Sequence, residues 1–170
     1  MKRILETDRL FLREFNLEDS KHFYALNLNP NVIRYTGDTA FKNIEEAENF
    51  LKQYKEYQTN GYGRWAVVDK FNDEFLGWCG LKYAAAINET DIGFRFFEQY
   101  WNKGLATESA RACLKYGFET LNLKTIVGRA MAENTASIKV LEKIGLQYEK
   151  EFDFEKHRGL LYRIDRQNFL

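Results

Sequence analysis

Tyr100-Trp101-Asn102-Lys103-Gly104-Leu105-Ala106-Thr107-Glu108 is the stretch on which the reading of this chain turns. Before it, Glu89–Phe97 reads as a strand; after it, Ala106 to about Thr120 reads as a helix. The stretch therefore joins the end of a strand to the start of a helix. Gly104 lets the backbone turn and lets a ligand come close to it, and Ala106 keeps the helix entrance small. The first amides of a helix have no partner inside it and point outward, where the helix dipole is positive. Lys103 adds a charge. Such a junction can hold a pyrophosphate without a metal ion. The same residues also suit a plain loop–helix junction in which Asn102 or Thr107 only caps.

Outward from this junction the pattern is mixed. Arg9–Phe15 alternates imperfectly and reads as a strand. Asn16 suits the cap of a helix beginning Leu17-Glu18-Asp19, with acidic residues where the dipole favours them. Asn29-Pro30-Asn31 is turn chemistry. Asn43 with Glu46 is close to a capping box, with Asn for Ser or Thr. The helix behind it carries Ala47, Phe50, Leu51, Tyr54 and Tyr57 at spacings of three to four, and Gly61 closes it. Trp65–Asp69 and Phe75–Tyr83 flank the hairpin signal Phe71-Asn72-Asp73. Thr125–Met131 reads as a strand. Asn134–Ile144 reads as a helix, capped by Asn134, striped by Ile138, Leu141 and Ile144, and stopped by Gly145. Gln147–Lys156 and Leu160–Asn168 read as a last strand pair. The order β-α-α-β-β-β-α-β-α-β-β predicts one mixed α/β domain over residues 1–170, with hairpins in the middle and at the end.

Composition narrows the function. A chain of 170 residues suits a single domain. One proline excludes a Pro-rich or collagen-like protein, and 14 Phe, 10 Tyr and 3 Trp supply a core and a lined cleft. Lys plus Arg is 25 and Asp plus Glu is 25, so the net charge is zero. That argues against coating nucleic acid or an anionic membrane. Cys79 and Cys113 make neither a disulfide framework nor a zinc spacing, which points to a reducing, cytoplasmic setting. The residues after Met1 lack the apolar run of a signal peptide, and Phe75–Leu81 is far short of a membrane span. There is no Walker A run, no G-x-G-x-x-G after a strand, no G-x-S-x-G elbow, and no metal spacing around His22 and His157.

Tyr100–Ser109 resembles the acyl-CoA pyrophosphate loop of the GNAT superfamily of N-acetyltransferases, whose core pattern is Q/R-x-x-G-x-G/A. Trp101 stands at the Q/R place, which matches the W-x-K-G-x-A-T-E form of the ribosomal-protein (RimJ/RimL-like) branch. Leu5-Glu6-Thr7-Asp8-Arg9-Leu10 with Leu12-Arg13 resembles that branch's N-terminal strand. Asp91-Ile92-Gly93-Phe94 resembles the strand before the loop. Asn134-Thr135-Ala136-Ser137-Ile138 through Leu141-Glu142-Lys143-Ile144-Gly145-Leu146 resembles its N-x-x-S…K-x-G-F helix, with Leu146 for Phe. The four segments are colinear over nearly the whole chain.

The resemblance implies a GNAT fold: a mixed central sheet of about six to seven strands with about four helices. It implies a strand at Asp91–Phe96 splayed from one at Thr125–Met131, with acetyl-CoA as co-substrate in the gap and no metal. Backbone groups near Phe94 and Phe96 would pair with the pantetheine. Trp101, Asn102, Lys103, Gly104, Leu105, Ala106 and Thr107 would hold the pyrophosphate, and Asn134 would contact the arm near the thioester. The other partner would be an amine (a protein N-terminus, a peptide or a small molecule), taken by a monomer or homodimer. Asn31–Phe41 is the candidate specificity loop.

The chemistry needs a neutral amine, a polarised carbonyl and a proton for the leaving thiolate. Near pH 7, freeing a lysine-like amine of its proton costs about 4.6 kcal/mol, whereas an α-amine costs about 1.4 kcal/mol. An enzyme for α-amines therefore manages with a weak base. Many superfamily members place a Tyr acid where Leu141 stands here. Ser137 is then the candidate acid, and it also suits a purely capping role in the first helical turn. Asp91 is the candidate base, with Glu89 second; alternation puts Asp91 on one face with Arg95, which suits an ion pair as well. Cys79, Cys113, Tyr54 and Tyr57 read as core or cleft wall. The alternative function is an acyl-CoA-binding sensor or structural subunit without turnover.

Overall fold

Strand alternation sorts the core into two layers. From neighbouring strands Leu10, Leu12, Trp65, Val67, Cys79 and Leu81 face one side, while Phe11, Ala66 and Val68 face the other. The computed structural model describes residues 2–169. Its strands are β1 (Arg3–Glu6), β2 (Leu10–Arg13), β3 (Arg64–Asp69), β4 (Phe75–Ala84), β5 (Glu89–Phe96), β6 (Thr125–Met131), β7 (Gln147–Phe154) and β8 (His157–Asp165). They form one eight-stranded sheet in the order β1-β2-β3-β4-β5-β6-β8-β7. Every pairing is antiparallel except β5 with β6.

Among the described residues there are six α-helices: α1 (Ser20–Leu28), α2 (Pro30–Ile33), α3 (Ile44–Lys52), α4 (Glu56–Asn60), α5 (Leu105–Glu119) and α6 (Thr135–Lys143). Helices α5 and α6 pack on the face of Leu10 and Trp65, where Ala110, Cys113, Leu114 and Leu141 are buried. Helices α1 and α3 bring Phe23, Ala47 and Leu51 to the opposite face. Asn43 Oδ1 accepts the Glu46 amide at 2.8 Å, as the capping pattern predicts.

Several element bounds differ from the sequence reading, each for a local reason. The sheet has eight strands, because β1 adds to the edge of β2 through the tight turn at Thr7. The helix expected to run from Asn43 to Gly61 breaks at Gln53–Lys55. The break lets two phenols reach the backbone: Tyr54 Oη accepts from Arg64 N at 2.8 Å, and Tyr57 Oη accepts from Phe15 N at 3.0 Å. Burial pushes the Tyr54 phenol up to about 12 and the Tyr57 phenol higher still. At the other end of the sheet, β7 stops at Phe154 and β8 starts at His157, earlier than read. Glu155 and Lys156, at φ 48° and 65°, make a two-residue hairpin turn of the left-handed kind without the usual Asn-Gly signature.

Candidate active site

The two parallel strands touch only briefly. Asp91 and Ile92 lie opposite Val127 and Gly128, and pairing stops there. Beyond that point β5 and β6 part. Phe97 N donates to Leu76 O at 3.1 Å, which fixes the alternation along β5. The N–H and C=O groups of Asp91, Gly93 and Arg95 then point to β4, and those of Phe94 and Phe96 point into the gap. Trp101, 39% exposed, donates its indole N–H to Phe96 O at 2.9 Å. Phe94 keeps both backbone groups facing the opening without a strand partner.

The chain leaves β5 through a single 3-10 turn at Glu98–Tyr100 and enters α5 through Asn102, φ 62°, and Gly104, φ 77°. An added Cβ at Gly104 would meet only Arg9 Nη2, at 3.5 Å. The left-handed backbone therefore requires glycine here, not crowding. The first bond of the helix is Glu108 N to Gly104 O at 3.0 Å, so the amides of Leu105, Ala106 and Thr107 have no helical acceptor. Lys103 Nζ sits 5.9 Å from the Tyr100 ring centroid.

A carboxylate clamp holds this junction. Glu108 Oε1 accepts from Thr7 Oγ1 at 2.6 Å and from Arg9 N at 3.0 Å. Its Oε2 accepts from Arg9 Nε at 2.7 Å, and Arg9 Nη1 reaches Lys103 O at 3.0 Å. Burial works to raise the Glu108 pKa, but the hydrogen bonds from Thr7 and Arg9 outweigh it and hold the carboxyl below its usual range. The clamp joins the β1–β2 turn, the loop and α5. The sequence contains all three residues within its motifs, yet nothing local announces that they meet, since Arg9 and Glu108 are 99 positions apart.

Across the gap, Asn134 caps α6: its Oδ1 accepts the Ser137 amide at 3.3 Å. Ser137 is half-buried beside it, one helical turn before Leu141. Leu141 is 2% exposed and lies against β6, where a Cβ on Gly128 would come within 2.7 Å of Leu141 Cδ2. Position 141 thus belongs to the core and offers no proton.

The expected Asp91–Arg95 pairing is not what the structure shows. Arg95 turns to Asn27 Oδ1 at 2.9 Å and to Asp38 Oδ2 at 2.7 Å. Asp91 instead joins two other arginines, with Oδ1 at 2.7 Å from Arg64 Nη2 and Oδ2 at 3.1 Å from Arg129 Nη1. Arg129 also bonds Glu89. Alternation placed Asp91 and Arg95 on one face correctly. The partners are decided by neighbouring strands: Arg64 crosses from β3, and Arg129 stands on β6 beside the parting point. Both Asp91 oxygens are engaged, so taking a proton there displaces an ion-pair hydrogen bond.

The geometry so described has a family. The acetyltransferase (GNAT) domain model matches residues 9–147. The chain belongs to the GNAT acetyltransferases. Its curated relatives include the uncharacterized N-acetyltransferase p20 of Bacillus licheniformis, 32% identical over 163 residues, 94% of this chain and 92% of that protein. A spermidine acetyltransferase of Escherichia coli is 27% identical over 148 residues, 85% of this chain and 76% of that one. Among solved structures, a GNAT-family acetyltransferase from Bacillus anthracis has a TM-score of 0.83 at 27% identity, covering 96% of this chain and 98% of its own.

A cavity of about 340 Å³ opens at the end of β6. It is lined by Arg34 and Tyr35, from the segment after α2, by Met131, Ala132 and Glu133, and by His157 and Arg158, from the start of β8. Arg34 and Tyr35 lie inside the Asn31–Phe41 segment. Cys79 and Cys113 are buried in the core, Sγ to Sγ 3.8 Å, and burial pushes the Cys113 thiol up. Among the described residues no group of three His, Cys, Asp or Glu side chains is placed to hold a metal ion, and no helix is long and apolar enough to cross a membrane.

Proposed function

We propose that this GNAT acetyltransferase moves the acetyl group of acetyl-CoA to a primary amine by direct attack, with no acetylated enzyme. One observation carries the reading: the edge of β5 at Phe94 and Phe96, which no strand pairs, runs toward the free amides at the start of α5, with Phe94 wholly open and Phe96 O held by the Trp101 indole. A thioester donor supplies an activated acetyl group there. The Phe94 and Phe96 backbone orients its extended arm. The amides from Asn102 to Thr107, with Lys103 alongside, take its pyrophosphate charge, and Trp101, its indole N–H held by Phe96 O, flanks the donor. Asn134 steadies the arm near the reacting end, and Ser137 offers a proton to the leaving sulfur. Asp91, with Glu89 behind it, accepts the amine's proton, through water where it does not touch the amine.

Because Asp91 is already bonded to two arginines, the site favours an acceptor that loses its proton easily. An α-amine, at about 1.4 kcal/mol near pH 7, fits better than a lysine-like amine at about 4.6 kcal/mol. The W-x-K-G-x-A-T-E form and the Thr7–Leu10 turn support an acceptor like that of the ribosomal-protein branch, and the spermidine relative keeps a small-amine acceptor open. Buried Leu141 at the customary acid position favours, as second reading, a binding protein without turnover.

Calorimetric titration with acetyl-CoA, followed by thiol release against a panel of amines and N-terminal peptides, tests this. Binding with amine-dependent release is the expected result. Binding without release from any amine supports the second reading, and absence of binding removes both.

A further inference from the structure

The donor and acceptor sides of the gap lie on different faces. Ile92, Phe94 and Phe96 point to the face of α5 and α6, while Asp91 and Arg95 point to the face of α1. A donor held at the start of α5 must therefore meet an amine arriving from the opposite face. There the cavity at the end of β6 stands open. We infer that this cavity takes the acceptor, and that the acceptor is a small zwitterion, an α-amino acid or a close analogue, with Arg34 reading its carboxylate and Glu133 its amine end. The inference rests on the acetyl-transfer reading above.

Three features support it. The cavity, at about 340 Å³, falls at the small end of small-molecule sites, which run from about 300 to 1,000 Å³. Its charges are unevenly satisfied. Arg158 is already paired with Glu151 at 2.5 Å. Arg34 and Glu133, by contrast, have no ion-pair partner among the described residues, and they do not pair with each other although both line the cavity. Opposite unpaired charges lining one cavity complement a ligand that carries both signs, whereas a polyamine would meet the unpaired Arg34 cation as well as Glu133. Arg34 is also steadied, its guanidinium lying 5.1 Å from the Tyr35 ring centroid. A guanidinium held by an aromatic ring is suited to fork onto a carboxylate.

The test uses the whole chain with acetyl-CoA and measures kcat/KM, expressed per unprotonated amine because a free α-amino acid holds its amine proton more tightly than its amide, for free α-amino acids, each against its own α-amide, and for a simple alkyl diamine. The free acids are expected to exceed their amides by about tenfold or more, the scale of one hydrogen bond to a charged group. Arg34→Gln is expected to erase that preference through KM, and Arg34→Glu to turn it toward the diamine, with acetyl-CoA affinity and melting temperature held as folding controls. Glu133→Gln is expected to weaken acids and amides alike. Preference for the amide or the diamine in the unaltered protein overturns the inference. So does a preference for acids that survives Arg34→Gln or Arg34→Glu. So does binding of acetyl-CoA with no turnover of any of these amines. Absence of acetyl-CoA binding removes the acetyl-transfer reading and this inference with it.

Discussion

On one face of the parted strands the proposed functional groups are mostly backbone; on the other they are mostly charged side chains. At the β5–α5 junction the Phe94 and Phe96 edge and the amides of Leu105, Ala106 and Thr107 are offered by the chain's path itself. Side chains such as Glu108 and Arg9 hold that path in place. On the opposite face of the sheet, Asp91, Arg64, Arg129 and Glu89 form an ion-pair network, and Arg34 and Glu133 line the cavity. A backbone site depends on a glycine, a helix start and a clamp, and it tolerates change elsewhere. A side-chain site changes its ligand when one residue changes. The contrast explains how a domain can keep its donor while its acceptor varies.

The sharpest way to break the contrast is at Gly104. Gly104→Val puts a β-branched residue at φ 77° and moves the amides that follow. Acetyl-CoA affinity is expected to fall by about a hundredfold, or roughly 2.8 kcal/mol, in a protein whose circular dichroism is unchanged; calorimetry reads it. Ser137→Ala comes next. Turnover is expected to drop by about tenfold, less than the hundredfold or more typical of a general acid, because a thiolate leaves readily. Acetyl-CoA affinity should hold, since the Asn134 cap bonds the Ser137 amide and not its hydroxyl. Wild-type rates would remove Ser137 as the acid.

Glu108→Gln sharpens the comparison, because it loosens the junction without touching the proposed ligand contacts. It is expected to raise the acetyl-CoA Kd by about fivefold and to lower stability by about 1–2 kcal/mol, the scale of hydrogen bonds to a charged group. The effect depends on pH with a definite sign. The Glu108 carboxyl lies below its ordinary value of 4.5 in the folded protein, so its stabilising contribution is fully present above that value and is lost as pH falls through the lowered one. The difference in Tm between the parent protein and Glu108→Gln should therefore be full near neutrality and shrink in acid. A difference independent of pH would assign the clamp to packing alone.

The smallest effect is expected at Gly128. Gly128→Ala pushes a methyl group to within 2.7 Å of Leu141 and should cost about 1–3 kcal/mol in thermal or urea unfolding. Turnover at low temperature should change less than with Ser137→Ala.

The junction was legible in the sequence because its signals are local: a strand, Gly104, then a helix, all within a few residues. The caps at Asn43 and Asn134 were legible for the same reason. What was not legible depends on distant partners. Nothing near Tyr54 or Tyr57 says that their hydroxyls will seek the backbone of Arg64 and Phe15 and break a helix to do so. Nothing near Asp91 names Arg64 and Arg129 over Arg95. The buried Arg13–Asp19 pair, at 2.8 Å, likewise forms only once β2 and the turn before α1 are in place. The Glu155-Lys156 turn lacks the residue types that mark such turns. For function, the colinear motifs led to the family, whereas the side chains of the proposed acceptor cavity come from segments far apart in sequence.

The most direct test of the central claim follows individual backbone amides. The protein would be labelled with nitrogen-15 and titrated with coenzyme A, and the amide shifts mapped by residue. The account expects the largest changes at Phe94, Phe96 and from Asn102 to Thr107, with Arg34 and Glu133 little moved. Shifts concentrated at Arg34, Glu133 and the β8 end of the cavity, with the β5–α5 amides still, would contradict it.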